Sequence, residues 1–140
     1  RTCPSIVWPS EADYSVLGQK LREIAREVRR RAPQAKIVFV DYVRILPDVG
    51  GCASLPLDDA QLAPARDGFS WMAEITAKSA AAEGAMLLPA GELSRRHDAC
   101  STEPWSAGYP GKPAAWHPTA AGHAGIAAAL AVRLMNLPEQ

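Results

Sequence analysis

Apolar side chains recur at Tyr14, Leu17, Leu21, Ile24, Ala25 and Val28, three or four residues apart and separated by polar ones. That spacing predicts a helix over residues 13–31 with a single buried face. Ser10 and Asp13 ahead of it have the spacing of a capping box, with Asp in place of the usual Glu, and Pro33 ends the helix. The next run, Ile37 to Val43 (IVFVDYV), is β-branched and aromatic and predicts a strand buried on both faces. Pro47, Gly50, Gly51 and Pro56 then mark residues 45–57 as a loop with Cys52 near its centre. A second helix is expected over about residues 59–83, with Leu62, Phe69, Met72, Ile75 and Ala80 inward. Asp67-Gly68 would either bend this helix or mark its true start. Gly84 suits a C-terminal cap, and Ala85 to Leu88 a short buried strand. Residues 89–118 read as irregular, and a last, packed amphipathic helix starts near Thr119 with Ile126, Leu130 and Leu134 on one face.

Helix, strand, helix, strand, helix is the alternation of an α/β domain with a parallel sheet. Two strands are few for such a sheet, so the chain reads as the later portion of a domain whose first βαβ part lies elsewhere. Its 140 residues, 48% of them hydrophobic, suit one folding unit.

Charge removes several function classes. Fifteen basic and 15 acidic residues cancel, so no whole-chain basic footprint for nucleic acid or anionic membrane exists. The run Arg26 to Arg31 is broken by Glu27 and Val28 and reads as a solvated helix face. No apolar stretch approaches the ~20 residues needed to span a bilayer. The chain opens Arg1-Thr2-Cys3-Pro4, which reads as a processed precursor or a fragment. Three cysteines, Cys3, Cys52 and Cys100, allow three internal pairings, each leaving one residue over.

Candidate chemistry gathers in the proline-rich loop that ends at His117. Pro118 biases His117 towards an extended backbone, and Thr119 can cap the helix behind it. The imidazole would then project from a loop at a helix start, where active-site groups are often carried. On spacing alone, a structural histidine is the plain alternative. His97, Cys100, His117 and His123 lack the paired close spacings of a zinc site, and no glycine-rich phosphate loop is present, so neither metal nor cofactor is expected.

The segment Trp116-His117-Pro118-Thr119-Ala120-Ala121-Gly122-His123 resembles the last conserved block of the SGNH hydrolases, also called GDSL esterases and lipases. RRRAPQAKIVFVDYVRILP, GGC around Cys52 and RHDACSTEPW around Cys100 are similar, in order, to segments of the secreted actinobacterial-type branch. The likeness covers nearly the whole chain. It implies a three-layer α/β/α sandwich of flavodoxin-like type, with residues 1–140 as the C-terminal portion of one domain. It also implies a secreted or periplasmic protein that hydrolyses a small ester or lipid through an acyl-serine. In that reading His117 is the general base and then acid. His123 is structural and packs at the helix start, His97 and Asp98 are structural, and Trp116 and Trp105 are candidates to line the acyl pocket. A tryptophan covering the core is the other reading for Trp105 and Trp116.

Two departures from the family pattern matter. Where many members place an aspartate three residues before the histidine, this chain has Ala114, so the expected orienting group is the Ala114 main-chain carbonyl. Asp98 or Glu103 would be the source of any carboxylate in its stead. The nucleophile is also missing. Ser70 and Ser79 fall within a predicted helix, Ser101 follows Cys100, and no G-x-S-x-G elbow exists. A companion N-terminal chain is therefore expected to supply the serine and oxyanion donors, this chain alone being inert. A non-catalytic accessory subunit of the same fold is the alternative. The resemblance further implies a Cys52–Cys100 disulfide between two loops that follow strands on one side of the sheet, leaving Cys3 for an interchain bond to the companion.

Overall fold

In a computed structural model, residues 7–111 and 114–136 are described. They form α1 (Glu11–Arg31), β1 (Val38–Val40), α2 (Asp59–Ala82), β2 (Met86–Leu88), α3 (Ala90–Leu93) and α4 (Ala120–Met135). β1 and β2 pair in parallel, Val38 opposite Met86 and Val40 opposite Leu88. A parallel pair needs a crossover, and α2 provides it, packing against both strands and against α1.

The helix ends follow from local chemistry. Ser10 accepts from the Asp13 amide while the Asp13 carboxylate accepts from the Ser10 amide, closing the expected capping box at α1. Asp58 and Gln61 do the same at α2. α2 ends on Gly84, whose φ of 59° is left-handed, with Ala85 N–H donating to Ala80 O at 2.9 Å and Gly84 N–H to Ala81 O at 3.2 Å. These two bonds satisfy carbonyls that the helix end would otherwise orphan. The helix runs unbroken through Asp67-Gly68. A Cβ on Gly68 would lie 2.9 Å from the Tyr14 hydroxyl, so this glycine admits Tyr14 of α1 rather than bending α2. Nearby, the Tyr14 and Trp71 rings meet edge-on at 5.2 Å, and the buried Ser79 hydroxyl donates to Gly18 O at 3.3 Å.

Two expectations about burial need correction. β1 is three residues long, and Val40 and Tyr42, each 41% exposed, contradict a strand buried on both faces. The ladder shows why. Met86 N–H reaches Ile37 O at 2.9 Å, and Asp41 N–H reaches Leu88 O at 3.3 Å. Residues 37, 39 and 41 therefore turn their polar groups to β2, and Val38 and Val40 turn theirs to the opposite edge. Among the described residues no strand pairs on that edge. A groove of 560 Å³ opens between α1, α2 and the segment after β1, lined in part by Leu17, Leu21, Val40, Phe69 and Met72. α4 is the second case. It packs on β2, yet only Gly122 along it is buried, and Leu134 is 43% exposed.

The loops beyond the C-terminal ends of the strands share an apolar core. Ile45, Leu46, Leu55, Leu62, Ala65 and Ala99 form a buried cluster against which Cys52, Cys100, Phe69 and Trp116 pack. Cys52 and Cys100 are disulfide-bonded across it, with Cα atoms 5.8 Å apart. The loops after β1 and β2 are thereby joined beside the segment that carries His117.

Candidate active site

The loop ahead of α4 folds back on itself. Ser106 and Pro118 form an antiparallel bridge, Ala107 N–H donates to His117 O at 2.9 Å, and Trp116 N–H donates to Ala107 O at 3.2 Å. Ser106, fully buried, donates its hydroxyl to Arg44 O at 2.7 Å and so fastens this hairpin to the segment after β1. Thr119 caps α4, accepting from Gly122 N–H at 3.1 Å and donating to Pro104 O at 2.8 Å. Both ends of the segment around His117 are thus held by hydrogen bonds to neighbouring loops.

Beside this pairing Trp116 adopts φ 65°, a left-handed conformation that is unusual for a bulky residue. The turn brings the chain back under the ring of the next residue. His117 Nδ1 lies 2.7 Å from Ala115 O, and the ring is exposed. The carbonyl beside Nδ1 is that of Ala115, one residue along from the expected Ala114. A carbonyl only accepts, so in the neutral ring Nδ1 carries the proton and Nε2 presents a lone pair. Among the described residues no carboxylate takes this place. The Asp98 carboxylate accepts from Cys100 N–H at 2.8 Å, and Glu103 offers its main-chain oxygen to His97 Nδ1 at 2.9 Å.

The other sequence candidates separate in space. Trp105 stacks on His97, ring centres 4.8 Å apart, and its six-membered ring occupies the position where a Cβ on Gly125 of α4 would stand. These partners are those of a side chain that covers the loop and α4. Trp116 is partly buried against the core cluster and stacks on Tyr109 at 6.1 Å. His123 is exposed on α4, which corrects the expectation that it packs at the helix start. Cys3 lies outside the described residues.

Sequence reasoning missed two groups here. The Tyr42 hydroxyl donates to Trp116 O at 3.0 Å, across 74 residues. Asp41, half-buried, accepts from Gly91 N–H at 2.8 Å. Burial raises its pKa above the usual carboxylate value, against the opposing effect of the Gly91 and Ala90 amides. Both residues lay inside a strand-like apolar run, where Asp41 is the only charge and nothing in the pattern shows what either residue will bond.

Among the described residues no serine hydroxyl hydrogen-bonds His117, no cluster of acidic, cysteine and histidine side chains could hold a metal, and no helix is long and apolar enough to cross a membrane. Ser70 and Ser101 bond to main-chain oxygens of their own segments, Arg66 O and Asp98 O.

A family model described as the GDSL-like lipase/acylhydrolase family matches residues 6–124, well over half of the chain. The chain belongs to that family. Its fold is similar to two solved members. Phospholipase A1 from Streptomyces albidoflavus NA297 superposes with a TM-score of 0.74 at 26% identity, over 84% of this chain and 51% of that one. An extracellular lipase from Streptomyces rimosus superposes with a TM-score of 0.77 at 27% identity, over 86% and 53% respectively. This GDSL-like chain thus spans about half the length of the solved hydrolases it matches, and its small parallel sheet with flanking helices is a part of their α/β architecture. A search of curated proteins finds no match.

Proposed function

We propose that this chain provides the general base of a carboxylic ester hydrolase acting through an acyl-serine intermediate, with His117 oriented by the Ala115 carbonyl. The observation that carries the reading is the exposed imidazole with Nδ1 2.7 Å from that carbonyl. It leaves Nε2 free to take the serine proton and pass it to the departing alkoxide, then to take a proton from water and return it to the serine oxygen as the acyl-enzyme is hydrolysed. The Ala115 carbonyl does for ring orientation what a carboxylate does in a triad, without adding a charge.

The serine and oxyanion donors come from a companion N-terminal portion carried on another chain. Supporting a further portion that completes the sheet are the edge of β1 left unpaired among the described residues, the apolar groove beside it, and solved relatives about twice as long. Cys3 links the two chains, since Cys52 and Cys100 satisfy each other. The substrate is a small ester or a lipid, as the names of the two solved hydrolases suggest, and the site of action is outside the cytoplasm.

The test is reconstitution. The purified protein should run as one band on non-reducing electrophoresis and as two after reduction, and it should hydrolyse a short-chain p-nitrophenyl ester. Hydrolysis by the 140-residue chain alone would overturn the divided arrangement. A companion without a serine opposite His117 would make this an accessory subunit.

A further inference from the structure

Each peptide plane flanking His117 has its own anchor. The plane that follows His117 is held through its carbonyl, which accepts from Ala107 N–H at 2.9 Å. The plane that precedes it contains the Trp116 carbonyl, and there the donor is the Tyr42 hydroxyl at 3.0 Å. Tyr42 stands two residues beyond the end of β1, with its ring 6.3 Å from that of Phe69 in α2. It therefore reaches the histidine loop from the sheet and not from within the loop.

Orientation of the preceding plane matters because Trp116 is left-handed at φ 65°. A bulky residue leaves that region when nothing holds it. Its N–H is held by Ala107 O and its ring lies on Tyr109, but neither contact fixes its ψ angle. The carbonyl bond does. Rotation of this plane would change ψ of Trp116 and φ of His117, and with them the direction of the His117 Cα–Cβ bond. The Ala115 carbonyl, on the other side of the same turn, would then no longer meet Nδ1.

We propose that Tyr42 is a positioning residue for His117: its hydroxyl locks the Trp116 carbonyl, and so the left-handed turn that points the imidazole. The inference rests on His117 as the base for its catalytic meaning, but its structural content can be measured without catalysis.

The experiment uses Tyr42→Phe, which keeps the ring on Phe69 and deletes only the hydroxyl. Imidazole ¹⁵N shifts of the full chain at a pH where His117 is neutral report which ring nitrogen is protonated. Wild type should show the Nδ1–H form, and Tyr42→Phe a mixture of both forms, with His97 and His123 unchanged as internal references. In the assembled hydrolase the variant should lose on the order of tenfold to a hundredfold in kcat, as small displacements of reacting groups do, with little change in KM. An unchanged His117 tautomer in Tyr42→Phe would overturn the positioning role. If the tautomer shifts but His117→Ala hydrolyses ester normally, Tyr42 still positions the ring, and it is the assignment of His117 as base that fails.

Discussion

His117 Nδ1 and the main-chain oxygen of Ala115 are 2.7 Å apart, two residues from each other along the chain. A contact so local would not form in extended backbone. It forms because Trp116, between them, turns left-handed and is tied on both sides, by Ala107 and by the Tyr42 hydroxyl. The acceptor that fixes the tautomer is thus part of the loop's own fold and cannot be deleted by changing a side chain. The ring itself can be.

In the assembled hydrolase His117→Ala should lower ester hydrolysis by about 10³-fold or more, the scale of losing one member of a catalytic unit. His123→Ala, at an exposed position on α4, should leave the rate close to wild type. Steady-state kinetics on a soluble ester compares the two. Retention of a tenth of the activity in His117→Ala would remove it from the mechanism.

The Cys52–Cys100 bond closes a separation of 48 residues around the cluster of Ile45, Leu46, Leu55 and Ala99. In the chain-entropy account such a loop is worth about 4 kcal/mol. Replacing both cysteines with serine should lower the urea midpoint accordingly. The difference between oxidised and reduced wild type should match it, whereas a reduced protein as stable as the oxidised one would show that packing alone holds the two loops together.

Much of this fold was legible because its punctuation is local. Ser10 with Asp13, Gly84 and Thr119 each meet a backbone need that a few neighbouring residues create, and each caps the helix its position predicted. The alternation of helix and strand followed from periodicity in the same way. What escaped depends on contacts between distant segments. The burial of β1 requires neighbours on both sides, which its own sequence cannot show, and Val40 stays 41% exposed. Nothing in IVFVDYV announces that Tyr42 will hold a carbonyl 74 residues away. The contact of His117 with the Ala115 rather than the Ala114 carbonyl likewise goes with one φ angle, at a tryptophan, a residue type that seldom turns left-handed.

Gly122 shows how closely the loop and α4 are fitted. A Cβ there would stand 2.2 Å from the main-chain oxygen of Trp105, the atom that also accepts from Thr119 N–H at 2.8 Å. Main chain cannot swing aside as a side-chain tip can, so Gly122→Ala must separate the Trp105 loop from the start of α4. A cost of about 1–3 kcal/mol is expected, as for other overpacked sites. The same change should reduce activity by disturbing Thr119 and the hairpin behind His117. Urea denaturation with the assay run on the folded variant measures both. A fully stable Gly122→Ala would mean the close approach is absent in solution.

Asp41 gives the chain a pH dependence of definite sign. Its carboxyl is half-buried, and burial raises its pKa above 3.8 even though the Gly91 and Ala90 amides favour the charged form. The folded state therefore binds the proton more tightly than the unfolded chain does. The resulting stability is fully present below the unfolded value and is lost as pH rises through the raised folded one. Asp41→Asn removes the charge at every pH and keeps a side-chain oxygen to accept from Gly91. The variant's urea midpoint, relative to wild type, should accordingly climb as pH passes upward through the carboxylate range and stay level from there to neutrality. Measurements of both proteins at pH 3, 5 and 7 resolve the trend. A relative midpoint that falls over that interval would mean that the two amides outweigh burial and that the ionised carboxylate is the form the fold prefers.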